Sequence, residues 1–179
     1  ETGIDEASMR SAGWYQAILQ SGKETMVEPF LFNYTGKSGD DLLVTTVGLP
    51  IMRDGRVIGA VGVDLSLALI DKIVSAHHLP EGGRATLFSN DGVIISRFDK
   101  SSIGTNYRAL RAANQNEVLG NMNDGKPMSF VIPAPDGRGS TAFYHQPVFI
   151  GDTGKPRSYS LSIPSTVLAR QTSEVPRRI

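Results

Sequence analysis

Leu42-Leu-Val-Thr-Thr-Val-Gly-Leu-Pro-Ile51, Met52-Arg-Asp-Gly55 and Arg56-Val-Ile-Gly-Ala-Val-Gly-Val63, followed by Asp64, form the stretch whose reading decides the fold. The two outer segments are apolar and β-rich, and the Asp54-Gly55 pair between them supplies the positive φ angles of a tight hairpin turn. The second segment delivers Asp64 at its end. Leu65-Ser-Leu-Ala-Leu-Ile-Asp-Lys-Ile-Val74 then carries Leu65, Leu69, Ile70, Ile73 and Val74 at helical spacing, an amphipathic helix of about three turns. Asp64 is therefore either the N-cap of that helix or a ligand-binding carboxylate.

Upstream, Trp14-Tyr-Gln-Ala-Ile-Leu-Gln20 places Trp14, Ala17, Ile18 and, less well, Tyr15 on one face of a short helix that stops near Ser21-Gly22. Thr25 to Tyr34 reads as a strand whose start tolerates Pro29, with Phe30, Phe32 and Tyr34 on one side. Downstream, the Pro/Gly cluster Leu79-Pro-Glu-Gly-Gly83 is the best boundary in the chain. A second unit opens at Arg84 with another hairpin signal around Asn90-Asp-Gly92. A stretch of helical pattern then runs to Met122, and Met128–Pro133, Ser140–Val148 and Ser158–Pro164 read as three strands. Residues 165–179 begin as a helix and end in a basic tail. Both halves run hairpin, helix and antiparallel strands, so the expected class is α+β in two tandem units.

The 179 residues are 40% apolar, enough for a core, and Lys plus Arg balance Asp plus Glu at 18 each. No field of one sign points to nucleic acid or an anionic membrane surface. There is no cysteine, which removes disulfides and thiolate metal sites. No apolar run approaches the roughly 20 residues that cross a bilayer, and the first residues lack signal-peptide zones, so the chain as given reads as soluble.

Catalytic patterns are thin. His77 and His78 are adjacent and His145 lies in a strand, so the three make no metal-ligand spacing and read as surface or packing residues. Asp40-Asp41 reads as a solvated turn, and neither a nucleophile elbow nor a phosphate-cradling loop is present. Five of the 13 aromatic residues, Trp14, Tyr15, Phe30, Phe32 and Tyr34, fall before residue 35. They are either the core of the first unit or an aromatic box with Asp64 at its polar end.

The order Arg10, Trp14-Tyr15, Glu28-Pro29-Phe30-x-Phe32, Val44-Thr-Thr-x-x-x-Pro50-Ile51 and Asp54-Gly55-x-x-x-Gly59-x-x-Gly62-x-Asp64-Leu65 resembles the membrane-distal module of a double Cache sensor domain. Phe88-x-x-Asp91-Gly92-x-Ile94, Ile103-Gly104, Tyr144-x-x-Pro147-Val148 and Ser160-Leu-Ser-Ile-Pro164 resemble the membrane-proximal module. The resemblance implies two PAS-like modules, each an antiparallel sheet flanked by helices, without the long N-terminal helix that usually precedes them. It divides the chain into a distal ligand-binding module (1–80), a proximal module (81–168) and a tail leading toward a membrane helix (169–179). It also implies a periplasmic, extracytoplasmic sensor of a membrane-anchored bacterial receptor, most often a methyl-accepting chemotaxis protein, with a second copy of the chain as candidate partner in a homodimer. Such a domain has a small-molecule ligand, no cofactor, no metal and no reaction.

Trp14, Tyr15, Phe30, Phe32, Asp64 and Arg10 are the ligand-binding residues the resemblance assigns. Amino-acid-binding members place an arginine two residues before the tryptophan, where this chain has Ala12, and Tyr-x-Asp where it has Phe30-Leu-Phe32. An unpaired buried carboxylate or ammonium costs several kcal/mol, roughly, so the expected ligand is a purine-like heterocycle stacked on the aromatics, with a biogenic or quaternary amine as competitor. A small hydrolase with an acid in a cleft is the alternative of another class. The proximal unit offers no convincing pocket residues.

Overall fold

The structure is a computed structural model and describes residues 6–77, 79, 81–110, 114–134, 137 and 139–173; the readings of His78, Pro80 and the tail beyond 173 lie outside them. Two short helices, α1 (Glu6–Ser11) and α2 (Gly13–Ser21), lead into the first sheet. Gly22, at φ 62°, closes α2 in the left-handed conformation by donating to the Ile18 carbonyl, which is why the helix stops there.

The first sheet consists of β1 (Thr25–Met26), β2 (Phe30–Asn33), β3 (Asp41–Arg53) and β4 (Arg56–Ser66). β3 is central and pairs antiparallel with all three others. At the hairpin tip Asp54 and Gly55 sit at φ 50° and 73°, the conformation that an Asp-Gly turn adopts at low cost. The single strand expected over Thr25–Tyr34 is two strands separated at Val27-Glu28-Pro29, because Pro29 has no N–H to continue the ladder.

β4 runs two residues past Asp64, and α3 (Leu67–Ser75) starts later than its apolar spacing suggests. Ser66 is its N-cap, its hydroxyl accepting from the Leu69 N–H. The capping role is thus filled by Ser66, and Asp64 is a strand residue.

The second sheet has the order β6-β5-β9-β8-β7: β5 (Arg84–Phe88), β6 (Ile94–Arg97), β7 (Met128–Pro133), β8 (Ser140–Val148) and β9 (Arg157–Pro164), all antiparallel. The region between β6 and β7 is less helical than its pattern suggests, with two 3-10 turns (Lys100–Ser102 and Tyr107–Leu110) before α4 (Gln115–Asp124). α4 packs Val118, Leu119 and Met122 onto Phe88, Ile94 and Tyr107 to form the core of this unit. A C-terminal helix, α5 (Ser165–Ser173), follows β9.

The two sheets are joined by buried polar contacts. Arg157 is 1% exposed; its guanidinium lies 3.3 Å from Glu28 Oε1 and donates to the Val27 carbonyl at 3.1 Å. α3, which follows the first sheet in the chain, leans on β6 of the second, where Asp71 accepts from Ser96 Oγ and Lys100 Nζ, each at 2.7 Å. Burial alone would raise the Asp71 carboxyl, but these donors hold it below the usual carboxylate range.

Candidate functional site

Alternation along the paired strands decides which side chains share the face covered by α2. Phe30 pairs with Val44, Phe32 with Leu42, Thr46 with Asp64 and Gly48 with Gly62, so all of these lie on one side of the first sheet. α2 reaches that side because the strands are bare beneath it. A Cβ on Gly48 would stand 2.2 Å from Ile18 Cδ1 and 2.9 Å from the Val61 carbonyl oxygen. A Cβ on Gly62 would stand 2.8 Å from Thr46 Cγ2 and 3.4 Å from the Trp14 ring. These two glycines seat fully buried Ile18 and set Trp14 beside Thr46 on the face that carries Asp64.

The Asp64 carboxylate is held at both oxygens. Thr46 Oγ1 donates to one at 2.5 Å, and the Tyr34 hydroxyl donates to the other in a short hydrogen bond. Both hydroxyls are thereby committed as donors, and toward an incoming group the cluster presents only acceptor oxygens. Desolvation, followed by the hydrogen bond to and the charge of Asp64, pushes the Tyr34 hydroxyl up to about 12. Among the described residues no basic side chain pairs with Asp64. Phe32 stands edge-on to Tyr34, with centroids 4.6 Å apart, and to Phe30 at 6.3 Å. The cluster faces solvent: Tyr34 is 47% exposed.

Of the residues singled out from the sequence, Trp14, Phe30, Phe32 and Asp64 share this face. Tyr15 stands edge-on to Trp14 at 5.6 Å and turns toward Gly59. Arg10 is exposed in the last turn of α1, where its carbonyl accepts from the Gln16 side chain. Tyr34 and Thr46 hold Asp64; the sequence placed Tyr34 among the aromatics of the candidate box, and Thr46 was not among the candidates. The alternation that put Phe30 and Phe32 together extends to Tyr34; Thr46 required the β3–β4 register.

His145 is 2% exposed, stacked between Phe88 and Phe130, with its ring nitrogens on Ser158 and Ser160. Among the described residues no group of three His, Asp or Glu side chains could hold a metal, and no helix is long and apolar enough to cross a membrane. The sequence singled out no pocket residues in the proximal unit. A cavity of about 540 Å³ opens on the second sheet, because residues far apart in the chain are brought into one row there.

Residues 2–72 match the methyl-accepting chemotaxis protein-like family, first PDC sensor domain. The first unit is thus similar to the first sensor module of chemoreceptors. The methyl-accepting chemotaxis protein PctB of Pseudomonas aeruginosa is 33% identical over 94 residues, which are 52% of this chain and 14% of that receptor. The solved ligand-binding domain of the amino acid chemoreceptor PctB of P. aeruginosa, in complex with L-Arg, superposes with a TM-score of 0.63 at 24% identity, covering 98% of this chain and 65% of that one. The periplasmic sensory domain of the Campylobacter jejuni chemoreceptor Tlp1 gives 0.68 at 19% identity, covering 90% and 57%. At these identities the structural likeness shows the fold alone: antiparallel α+β modules. The chain spans 14% of the PctB receptor and 65% and 57% of the two solved domains. The Tlp1 structure is described as a periplasmic sensory domain.

Proposed function

We propose that this chemoreceptor-type sensor domain binds a small nitrogenous ligand on the face shared by Trp14, Phe30, Phe32 and Asp64. The observation that carries the reading is the Asp64 carboxylate, oriented by Thr46 and Tyr34 beside three aromatic side chains and without a basic partner among the described residues. An aspartate so held accepts N–H groups, and the neighbouring rings offer stacking and cation-π surface. A purine-like heterocycle uses both features. An organic amine is the second reading, favoured by the commitment of both hydroxyls to Asp64, which leaves acceptors alone for the ligand.

PctB is described in complex with L-Arg. Here Ala12 stands where the family resemblance places the arginine for an amino acid's carboxylate, and that difference favours a ligand without one. In the parent receptor, read as membrane-anchored and homodimeric, occupancy would act on α3. That helix begins just after Asp64 and is fastened to the second sheet through Asp71.

The test is a thermal-shift screen of purines, amines and amino acids, followed by calorimetric titration of Asp64→Asn. A ligand at about 100 times its Kd stabilises the fold by roughly 2.7 kcal/mol. Loss of a charge-assisted hydrogen bond, about 1.5–3 kcal/mol, weakens binding about tenfold to a hundredfold. A screen in which amino acids alone shift the melt, or an Asp64→Asn protein that binds like wild type, would sink the proposal.

A further inference from the structure

The second sheet carries a cavity that the first-unit site does not use. Pairing runs Met128–His145, His145–Ser160, Ser160–Thr86 and Thr86–Arg97, one continuous row across all five strands. The next rows on the same face add Phe130 with Phe143, and Ile132 with Thr141. α4 covers the Phe88 end of this face, and the other end stays open as the cavity of about 540 Å³. That size lies within the range of small-molecule sites, about 300–1,000 Å³.

Its walls are apolar where Phe88, Phe130 and Phe143 line it, and the hydroxyl residues Thr86, Thr141 and Ser160 interrupt the floor. His145 is part of that floor, since its ring is stacked between Phe88 and Phe130 and both nitrogens are engaged by serines. Three charged groups line the cavity: Arg84, Arg97 and Asp99. Asp99 is committed, accepting from the N–H and the hydroxyl of Ser101. The Arg84 guanidinium lies over the Phe98 ring, 4.2 Å from its centroid. Arg97 is half-buried, and among the described residues its guanidinium donates no hydrogen bond and makes no ion pair within 4.0 Å, although its charge reaches the Asp99 carboxylate and helps to lower it. Unspent donors in a planar fork beside an apolar hollow match a carboxylate, which takes two parallel N–H bonds while its organic part leaves water.

We infer that this cavity is a ligand site of its own, for a small carboxylic acid whose apolar body enters among Phe88, Phe130 and Phe143 and whose carboxylate is held by Arg97. The chemistry is opposite to that of the first unit, an arginine here and an acid there, so the two sites take different ligands. Ser96, next to Arg97 but on the opposite face of β6, donates to Asp71 of α3, which ties the strand carrying Arg97 to the helix that follows Asp64.

The test titrates the whole chain, labelled with ¹⁵N, with propionate, pyruvate and benzoate in turn, following amide shifts by NMR. The expected result is saturable shifts for at least one acid, centred on Thr86, Arg97, Thr141 and Ser160. Arg97→Gln should then weaken binding by about tenfold or more, with Arg97→Lys intermediate. The shift map is read on the wild-type protein, so it decides the case even where a variant fails to fold. Three outcomes overturn the inference: no saturable shift at these amides with any of the acids, shifts centred on Trp14 and Asp64 instead, or a folded Arg97→Gln protein that binds as tightly as wild type.

Discussion

His145 makes the stability of the second unit depend on pH in a direction that can be worked out. Burial between Phe88 and Phe130 holds the imidazole neutral, its pKa depressed from the ordinary 6.5 to about 4. As pH falls, the unfolded chain takes up this proton before the native protein does. The contribution is therefore fully present above 6.5 and is lost as pH drops toward 4. Each pH unit of that displacement is worth about 1.4 kcal/mol, so the whole amounts to roughly 3 kcal/mol, most of it lost between about pH 7.5 and about pH 4.5. His145→Phe keeps an aromatic ring between the two phenylalanines and removes the titration. Urea unfolding of both proteins at the two pH values isolates the residue, because the other titrating groups are common to both. The wild type should lose roughly 2–3 kcal/mol more than the variant between the two conditions. A native His145 that titrates near 6.5 by NMR, or equal losses in the two proteins, would refute the reasoning.

Tyr34, raised to about 12 from 10.0, should keep its full contribution below pH 10.0 and lose it as pH rises toward 12. Asp64→Asn removes the charge and leaves at most a neutral hydrogen bond, so tyrosinate absorbance should show a group titrating earlier than in the wild type. Gly48→Ala drives a methyl against Ile18 and an immovable backbone carbonyl. About 1–3 kcal/mol of stability should be lost, and the fluorescence of Trp14, the sole tryptophan, should shift to the red as α2 lifts. Arg157→Met strips Glu28 of its ion-pair partner between the sheets. Urea denaturation should show a loss of about 3 kcal/mol, and Glu28→Gln in the same background should recover part of it.

The residues that announced their structure did so through local chemistry. Asp54-Gly55 made a hairpin because its two backbones accept positive φ, and Gly22 ended α2 for the same reason. Alternating β-branched and aromatic residues marked Met128–Pro133 and Ser140–Val148. The union of Phe30, Phe32 and Asp64 also followed from alternation, once a family resemblance suggested that they meet.

Local chemistry was ambiguous where two neighbours could serve one role. Asp64 and Ser66 are both good caps, and the choice fell to Ser66 because pairing with β3 carries β4 through Asp64 to Ser66. Pro29 split a strand that its apolar neighbours would have continued.

The sequence alone determined the order of elements, the turns and the tandem α+β plan, since these depend on dihedral preferences and periodicities within a few residues. Only the tertiary structure decided that Thr46 and Tyr34 clasp Asp64, that α3 leans on the second sheet, and that Arg97, Thr86, Ser160 and His145 stand in one row. Those are consequences of strand register, and register joins residues whose separation along the chain carries no local signal.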